Sequence, residues 1–265
     1  MRTSEIIREY YNENFEGEWN RIAGRPEFIL TCRYIDRYIK PGDSVLDIGG
    51  GPGRYSLYLA KKGCDVTLLD LSDENVKFAA TKAEELKLPL KAIQGNALEA
   101  DELVTEKFDH VLLMGPLYHL PEESERIKAV DSAMKVLKPG GVIFVSFINM
   151  FAGMIYAMKC EPAIIIDPSE TDFHRAVLDN TGFAGQAFTQ AFFINQHEVL
   201  PFMSQFQLEK LHLFGQEGIS APCEGNIMSQ PPDVVAAWMD MCEKLCEREE
   251  LLSWSEHLMY VGRKM

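Results

Sequence analysis

The chain has 265 residues, 46% of them apolar, and a formal net charge of −14 at neutral pH. That is enough apolar material for one large domain, or for one domain with a sizeable insertion. No apolar run is long enough to span a bilayer, and so acidic a surface repels polyanions, which disfavours sequence-independent binding to nucleic acid. The six cysteines (Cys32, Cys64, Cys160, Cys223, Cys242, Cys246) make no CxxC pair and no zinc-ribbon spacing, so buried structural thiols are expected. The first residues carry charges inside their apolar stretch and show no cleavable signal pattern, which gives a soluble cytoplasmic protein as the expectation.

In chain order, residues 4–15 read as a helix with Ile6, Ile7, Tyr10, Tyr11 and Phe15 near one face. Residues 28–39 read as a second helix, and Pro41-Gly-Asp is a turn feeding a strand over 44–48. The stretch Val45-Leu-Asp-Ile-Gly-Gly-Gly-Pro-Gly53 follows, a buried strand running into a glycine loop and a helix start. A dinucleotide loop of the form Gly-x-Gly-x-x-Gly would need glycine at position 54, where Arg54 stands. Asp47 would repel a pyrophosphate at that turn but suits a ligand that carries positive charge. Strands over 64–70, 90–94, 108–114 and 142–148 alternate with helices over 72–87 and 122–137, the pattern of a doubly wound, mainly parallel α/β sheet.

Leu46-Asp-Ile-Gly-Gly-Gly-Pro-Gly53 and Leu137-Lys-Pro-Gly-Gly141, in order within residues 40–150, resemble the class I S-adenosylmethionine-dependent methyltransferases. The resemblance implies a Rossmann-like, seven-stranded sheet whose last two strands, over 208–214 and 257–262, are antiparallel. It implies S-adenosylmethionine as cofactor, S-adenosylhomocysteine as product, and no metal. Asp47, Gly49, Gly50 and Gly51 would hold the methionine tail. Asp70, at the tip of the second strand, would accept both ribose hydroxyls, with Leu71 against the adenine. Asn96 and Ala97 would border the adenine, although Asn96 stands where family members usually carry an acid. Met114 to His119 would border the transferred methyl, which makes His119 and Tyr118 the catalytic candidates. A histidine titrates near neutrality and suits a general base; the same His119 would equally serve to cap backbone groups in a turn.

The segment divides into a helical cap (1–43), the cofactor-binding core (44–149), an inserted lid (150–196) and the remainder of the core (197–265), with a helix inserted before the last strand. By the same resemblance Tyr10, Tyr11 and Trp19 in the cap would close over cofactor or substrate, or else serve as core contacts. In the insertion Met150, Met154 and Met158 share a helix face, either as an adaptable apolar wall for the substrate or as an added core helix. The other histidines, His257 among them, read as structural. The function expected is methyl transfer to a small-molecule acceptor by in-line displacement. The alternatives are a protein that holds the cofactor without transferring its methyl, and a methyltransferase acting on protein or tRNA.

Overall fold

Strand β1 (Ser44–Ile48) is buried at every position but its first, as a strand in the middle of a parallel sheet must be. It pairs in parallel with β2 (Asp65–Asp70) on one side and β4 (Phe108–Leu113) on the other. Beyond these lie β3 (Lys91–Gln94) and β5 (Leu137–Asn149), also parallel. β9 (His257–Lys264) runs antiparallel along β5, and β8 (Leu208–Gly215) antiparallel along β9. This is the expected seven-stranded plan, seen in a computed structural model that describes residues 3–187 and 189–265.

Among the described residues, two more strands bring the sheet to nine. β6 (Phe183–Gln186) and β7 (Gln190–Ile194) form a hairpin, and β7 meets the end of β5 in parallel at Ile148 and Asn149. The two strands are short and their alternation is weak, so no local pattern marks them. What forms them is tertiary: Phe183 and Phe193 pack edge-on against Phe173, with ring centroids 5.4 Å apart in each case. The inserted segment is therefore partly sheet.

The helices are α1 (Thr3–Arg21), α2 (Pro26–Tyr38), α3 (Arg54–Lys61), α4 (Asp73–Leu86), α5 (Ala100–Leu103), α6 (Glu123–Val136), α7 (Ala152–Cys160), α8 (Thr171–Asp179), α9 (Gln196–Met203), α10 (Glu224–Met228) and α11 (Pro232–Leu245). Two apolar layers cover the sheet. Leu46, Ile48, Val111, Leu113 and Ile143 meet Ala129, Val130 and Ala133 of α6 on one face. Val45, Val66, Leu112 and Phe144 meet Tyr34 and Ile35 of α2 and Leu59 of α3 on the other. Successive residues of β1 thus serve opposite layers, which follows from the two-residue period of a strand.

Helix α1 buries only Ile7 and is held by specific contacts rather than by an apolar stripe. Asn12 donates to Asp73 (3.0 Å) and accepts from Ser72 Oγ (2.6 Å). Arg54, in the first turn of α3, lies 3.4 Å over the Trp19 ring and donates to the Trp19 carbonyl. Tyr11 reaches His119 at 2.6 Å. The first helix so lies across the carboxyl ends of the central strands. No helix among the described residues is long and apolar enough to cross a membrane.

Candidate active site

In an open parallel sheet, ligands collect outside the carboxyl ends of the strands where the strand order reverses. Here the reversal falls between β1 and β4, and a cavity of about 590 Å³ opens there. Its lining includes Asp47, Gly49, Gly50 and Gly51 from the loop, Asp70 and Leu71 after β2, Asn96 and Ala97 after β3, and Met114, Tyr118 and His119 after β4. All nine residues expected to contact the cofactor therefore share one cavity.

Two glycines show why this loop tolerates no side chain. Gly49 has φ +70, and a Cβ on it would lie 2.5 Å from Pro116 Cδ. A Cβ on Gly50 would lie 2.8 Å from Asp47 Oδ2. The loop can thus fold against the segment after β4 and leave its backbone facing the cavity.

Asp47 is 1% exposed and accepts a hydrogen bond from Ser56 Oγ at 2.7 Å. Burial pushes its carboxyl up to about 7; the Ser56 bond opposes this and nearby Asp70 adds to it. Such a group accommodates a cationic ligand well, because a positive charge beside it restores the ionised form. Asp70 accepts from Gly51 N (2.8 Å), Ser72 N (2.9 Å) and Asn75 Nδ2 (3.1 Å). Burial raises its carboxyl as well, opposed by those three bonds. A carboxylate has roughly four acceptor positions, so one remains for an incoming donor rather than two. The adjacent Asn75 Oδ1 is buried, lines the same cavity and has no hydrogen-bond partner. Asp70 and Asn75 together offer two acceptors to a pair of vicinal hydroxyls, a partner the sequence reading missed. The side chain of Asn96 is already engaged, accepting from Leu98 N at 3.0 Å.

The catalytic candidates are both committed. Tyr118 donates to the Met114 carbonyl at 3.0 Å, and burial pushes its phenol well up. His119 is buried, with Nδ1 3.2 Å from the Gln190 carbonyl and Nε2 2.6 Å from the Tyr11 hydroxyl. A carbonyl only accepts, so Nδ1 carries the proton and Nε2 accepts from Tyr11. Burial lowers the His119 imidazolium to about 4, only partly offset by the Gln190 bond. His119 is therefore neutral and positions Tyr11, whose ring lines the cavity.

Of the other residues expected at the acceptor, Tyr10 and Trp19 are absent from the lining. Trp19 packs on Phe78 and under Arg54. Met150 is fully buried and Met154 half-buried in a cluster with Ile148, Phe173 and Phe193, so they form core and not a substrate wall. The apolar composition that suggested a wall was met instead by the unforeseen β6–β7 hairpin.

Beyond the loop, the cavity runs to a polar end lined by Glu18, Arg21, Glu27 and Gln216. Arg21 bridges Glu18 (3.0 Å) and Glu27 (2.8 Å). Gln216 is pinned by Ser146 Oγ (2.5 Å) and Thr31 Oγ1 (3.0 Å). Next to it Glu217 holds His257 Nδ1 at 2.7 Å. These residues come from α1, α2 and the segments flanking β8 and β9. They lie far apart in sequence and follow no motif.

The sheet order and the acid-glycine loop define a Rossmann-like α/β protein with a cavity at its strand-order reversal. A family model described as a methyltransferase domain matches residues 45–141. The chain is 30% identical over 196 residues to the ubiquinone biosynthesis O-methyltransferase of Pasteurella multocida, covering 63% of this chain and 80% of that one. It is 39% identical over 112 residues to the protein of the same name from Psychrobacter cryohalolentis, covering 41% of this chain and 42% of the other, so that match spans less than half of the relative's length. Among solved structures, magnesium protoporphyrin IX methyltransferase from Synechocystis PCC 6803 superposes over the full length of both chains with a TM-score of 0.61 at 15% identity, a likeness of fold. The chain belongs to the class I S-adenosylmethionine-dependent methyltransferases.

Proposed function

We propose that the protein transfers a methyl group from S-adenosylmethionine to a small-molecule acceptor. The observation that carries this reading is one cavity that holds Asp47 beside the glycine loop and Asp70 with the unpartnered Asn75 Oδ1 beyond it. Two carboxylates and a free amide oxygen suit a cationic tail and a ribose, and they do not suit a pyrophosphate. When bound, the cofactor supplies an electrophilic methyl on a sulfonium, so the protein need hold the partners in line and keep water out. Positioning of that kind is worth up to ~7–11 kcal/mol.

Asp47 and the loop backbone would hold the methionine tail, Asp70 and Asn75 the ribose, and Leu71, Asn96 and Ala97 the adenine. Met114 and Tyr118 would form the wall beside the methyl. Tyr11, fixed by His119, would close the cavity from α1. The acceptor would lie between Tyr118 and the polar end at Arg21 and Glu27. With a volume within the ~300–1,000 Å³ of small-molecule sites, the cavity suits a metabolite-sized acceptor.

The test is turnover with methyl-deuterated S-adenosylmethionine and a panel of phenols, amines and thiols, read by mass spectrometry. The expected result is label in one acceptor class together with stoichiometric S-adenosylhomocysteine. Tight cofactor binding with no transfer to any small molecule would favour a binding protein instead.

A further inference from the structure

We propose that His257, presented by Glu217, stabilises the oxyanion of an acidic hydroxyl acceptor, so that the enzyme methylates oxygen. This rests on the cofactor reading above and extends it to the acceptor.

The geometry is that of an oriented imidazole. The Glu217 carboxylate accepts from His257 Nδ1 (2.7 Å) through Oε1. Its Oε2 accepts from the His257 backbone N–H (3.0 Å) and from Ser255 Oγ (2.6 Å). Ser255 Oγ in turn accepts from the Glu217 backbone N–H (3.0 Å). The carboxylate cannot turn away, and because it only accepts, Nδ1 keeps its proton. Nε2, the other ring nitrogen, is then the atom that gains and loses one. It makes no hydrogen bond among the described residues. This is the arrangement in which a carboxylate fixes the tautomer of a base and stabilises its charged form.

The imidazole also stands beside residues that line the polar end of the cavity. Its ring centroid is 6.3 Å from that of Tyr118, which lines the cavity. One ring nitrogen of His257 and one oxygen each of Glu27 and Glu217 fall within 4.8 Å of one another, and Glu27 lines the cavity. Glu27 thus joins the His257–Glu217 pair to the cavity.

Burial lowers the His257 imidazolium, but Glu27 and Glu217 outweigh it and hold the group up at about 9. The charged and titratable groups around the ring are Arg21 of α1, Glu27 of α2, Tyr118 after β4, Glu217 after β8, and Glu256 just before β9, which Lys159 of α7 pairs at 2.6 Å. Held in its charged form, the imidazolium favours an acceptor acidic enough to bind as its oxyanion, a phenol rather than an aliphatic alcohol. Where the imidazole is neutral, the acceptor O–H bond breaks and its proton goes to His257 Nε2. The oxygen keeps the electron pair and forms the new bond to the methyl carbon, while the carbon–sulfur pair stays on sulfur. His257 then returns its proton to solvent. Where the imidazole is already protonated, the acceptor enters as its oxyanion and pairs with it.

The experiment uses 4-nitrophenol, whose anion absorbs visible light and whose neutral form does not, bound to the full chain saturated with S-adenosylhomocysteine. In the wild type the bound probe should ionise at a pH lower by about one unit or more than in water, a tenfold or greater preference for the anion. In His257→Gln the midpoint should return to the solution value. Glu217→Gln should move it part of the way and lower the imidazole pKa seen by NMR, a change that loss of packing alone would not produce. Saturation of each variant by S-adenosylhomocysteine confirms that it folds and keeps the cofactor reading separate: absence of that binding overturns the parent proposal. A wild-type midpoint unchanged or raised, or one equal in His257→Gln, overturns this one. So does a shift that EDTA abolishes and zinc restores, which would assign the cluster to a cation.

Discussion

Asp47 gives the most quantitative consequence of a cationic ligand at the glycine loop. In the free protein its carboxyl is pushed up to about 7 by burial, with Asp70 adding to the effect. If the bound ammonium requires the ionised form, S-adenosylhomocysteine must displace a proton whenever the pH is below 7. Affinity then falls by a factor of about 10 at pH 6 and about 100 at pH 5, since each pH unit below the pKa costs about 1.4 kcal/mol. The same shift has the opposite sign for the ligand-free fold. A group whose folded pKa is raised favours the folded state below its unfolded value, near 4, and this contribution is lost as pH rises to about 7. Across three units the loss is of order 4 kcal/mol. Asp47→Asn keeps an oxygen for Ser56 and removes the charge. It should raise the melting temperature of the free protein at pH 8 by several degrees, at about 2–4 °C per kcal/mol for a domain approaching this size, while it weakens cofactor binding and flattens its pH dependence. Calorimetric titrations from pH 5 to 7.5, with both proteins, measure this. A wild-type Kd constant within twofold over that range, or the same slope in the variant, would refute the reasoning.

Tyr11→Phe removes the partner of a buried imidazole nitrogen and should cost about 1–3 kcal/mol of stability. His119 should remain neutral with its proton on Nδ1 down to pH 5, since burial lowers it to about 4; a 15N ring spectrum showing imidazolium at pH 6 would contradict this. Arg54→Ala removes the cover of the Trp19 ring and the bond to its carbonyl. Limited proteolysis should then cut within α1 at least several-fold faster, with binding of S-adenosylhomocysteine restoring protection. Gly50→Ala places a methyl 2.8 Å from Asp47 Oδ2, and the expected outcome is a loss of cofactor affinity exceeding tenfold with only a modest fall in melting temperature.

The central sheet was legible because its strands are continuous apolar runs closed by punctuating glycines, and because Asp47 and Asp70 sit at strand tips fixed by backbone register. The placing of these residues around one cavity followed from that register, Asn96 among them. Asn75 was not legible, since only the bond of its Nδ2 to Asp70 shows that its oxygen is left over. The β6–β7 hairpin was hidden because contacts with Phe173 form it. The polar end was hidden for a further reason. Arg21, Glu27, Glu217 and His257 are brought together by the packing of α1 and α2 against the β8–β9 pair, and no local pattern encodes that convergence. His119 stood out by its place after β4, and its ring meets Tyr11 and the Gln190 carbonyl; the role proposed for His257, read as structural, rests on contacts that no local pattern marks.

The claim on which the rest depends is that one cavity binds a cationic nucleoside through Asp47 and Asp70. Calorimetric titration of the full chain with S-adenosylhomocysteine at pH 7.5 tests it directly. The account predicts one site per chain with a micromolar or tighter Kd, weakened at least about tenfold by Asp70→Asn, the loss of one charge-assisted hydrogen bond. No binding heat at millimolar ligand, or equal affinity in the variant, would contradict it.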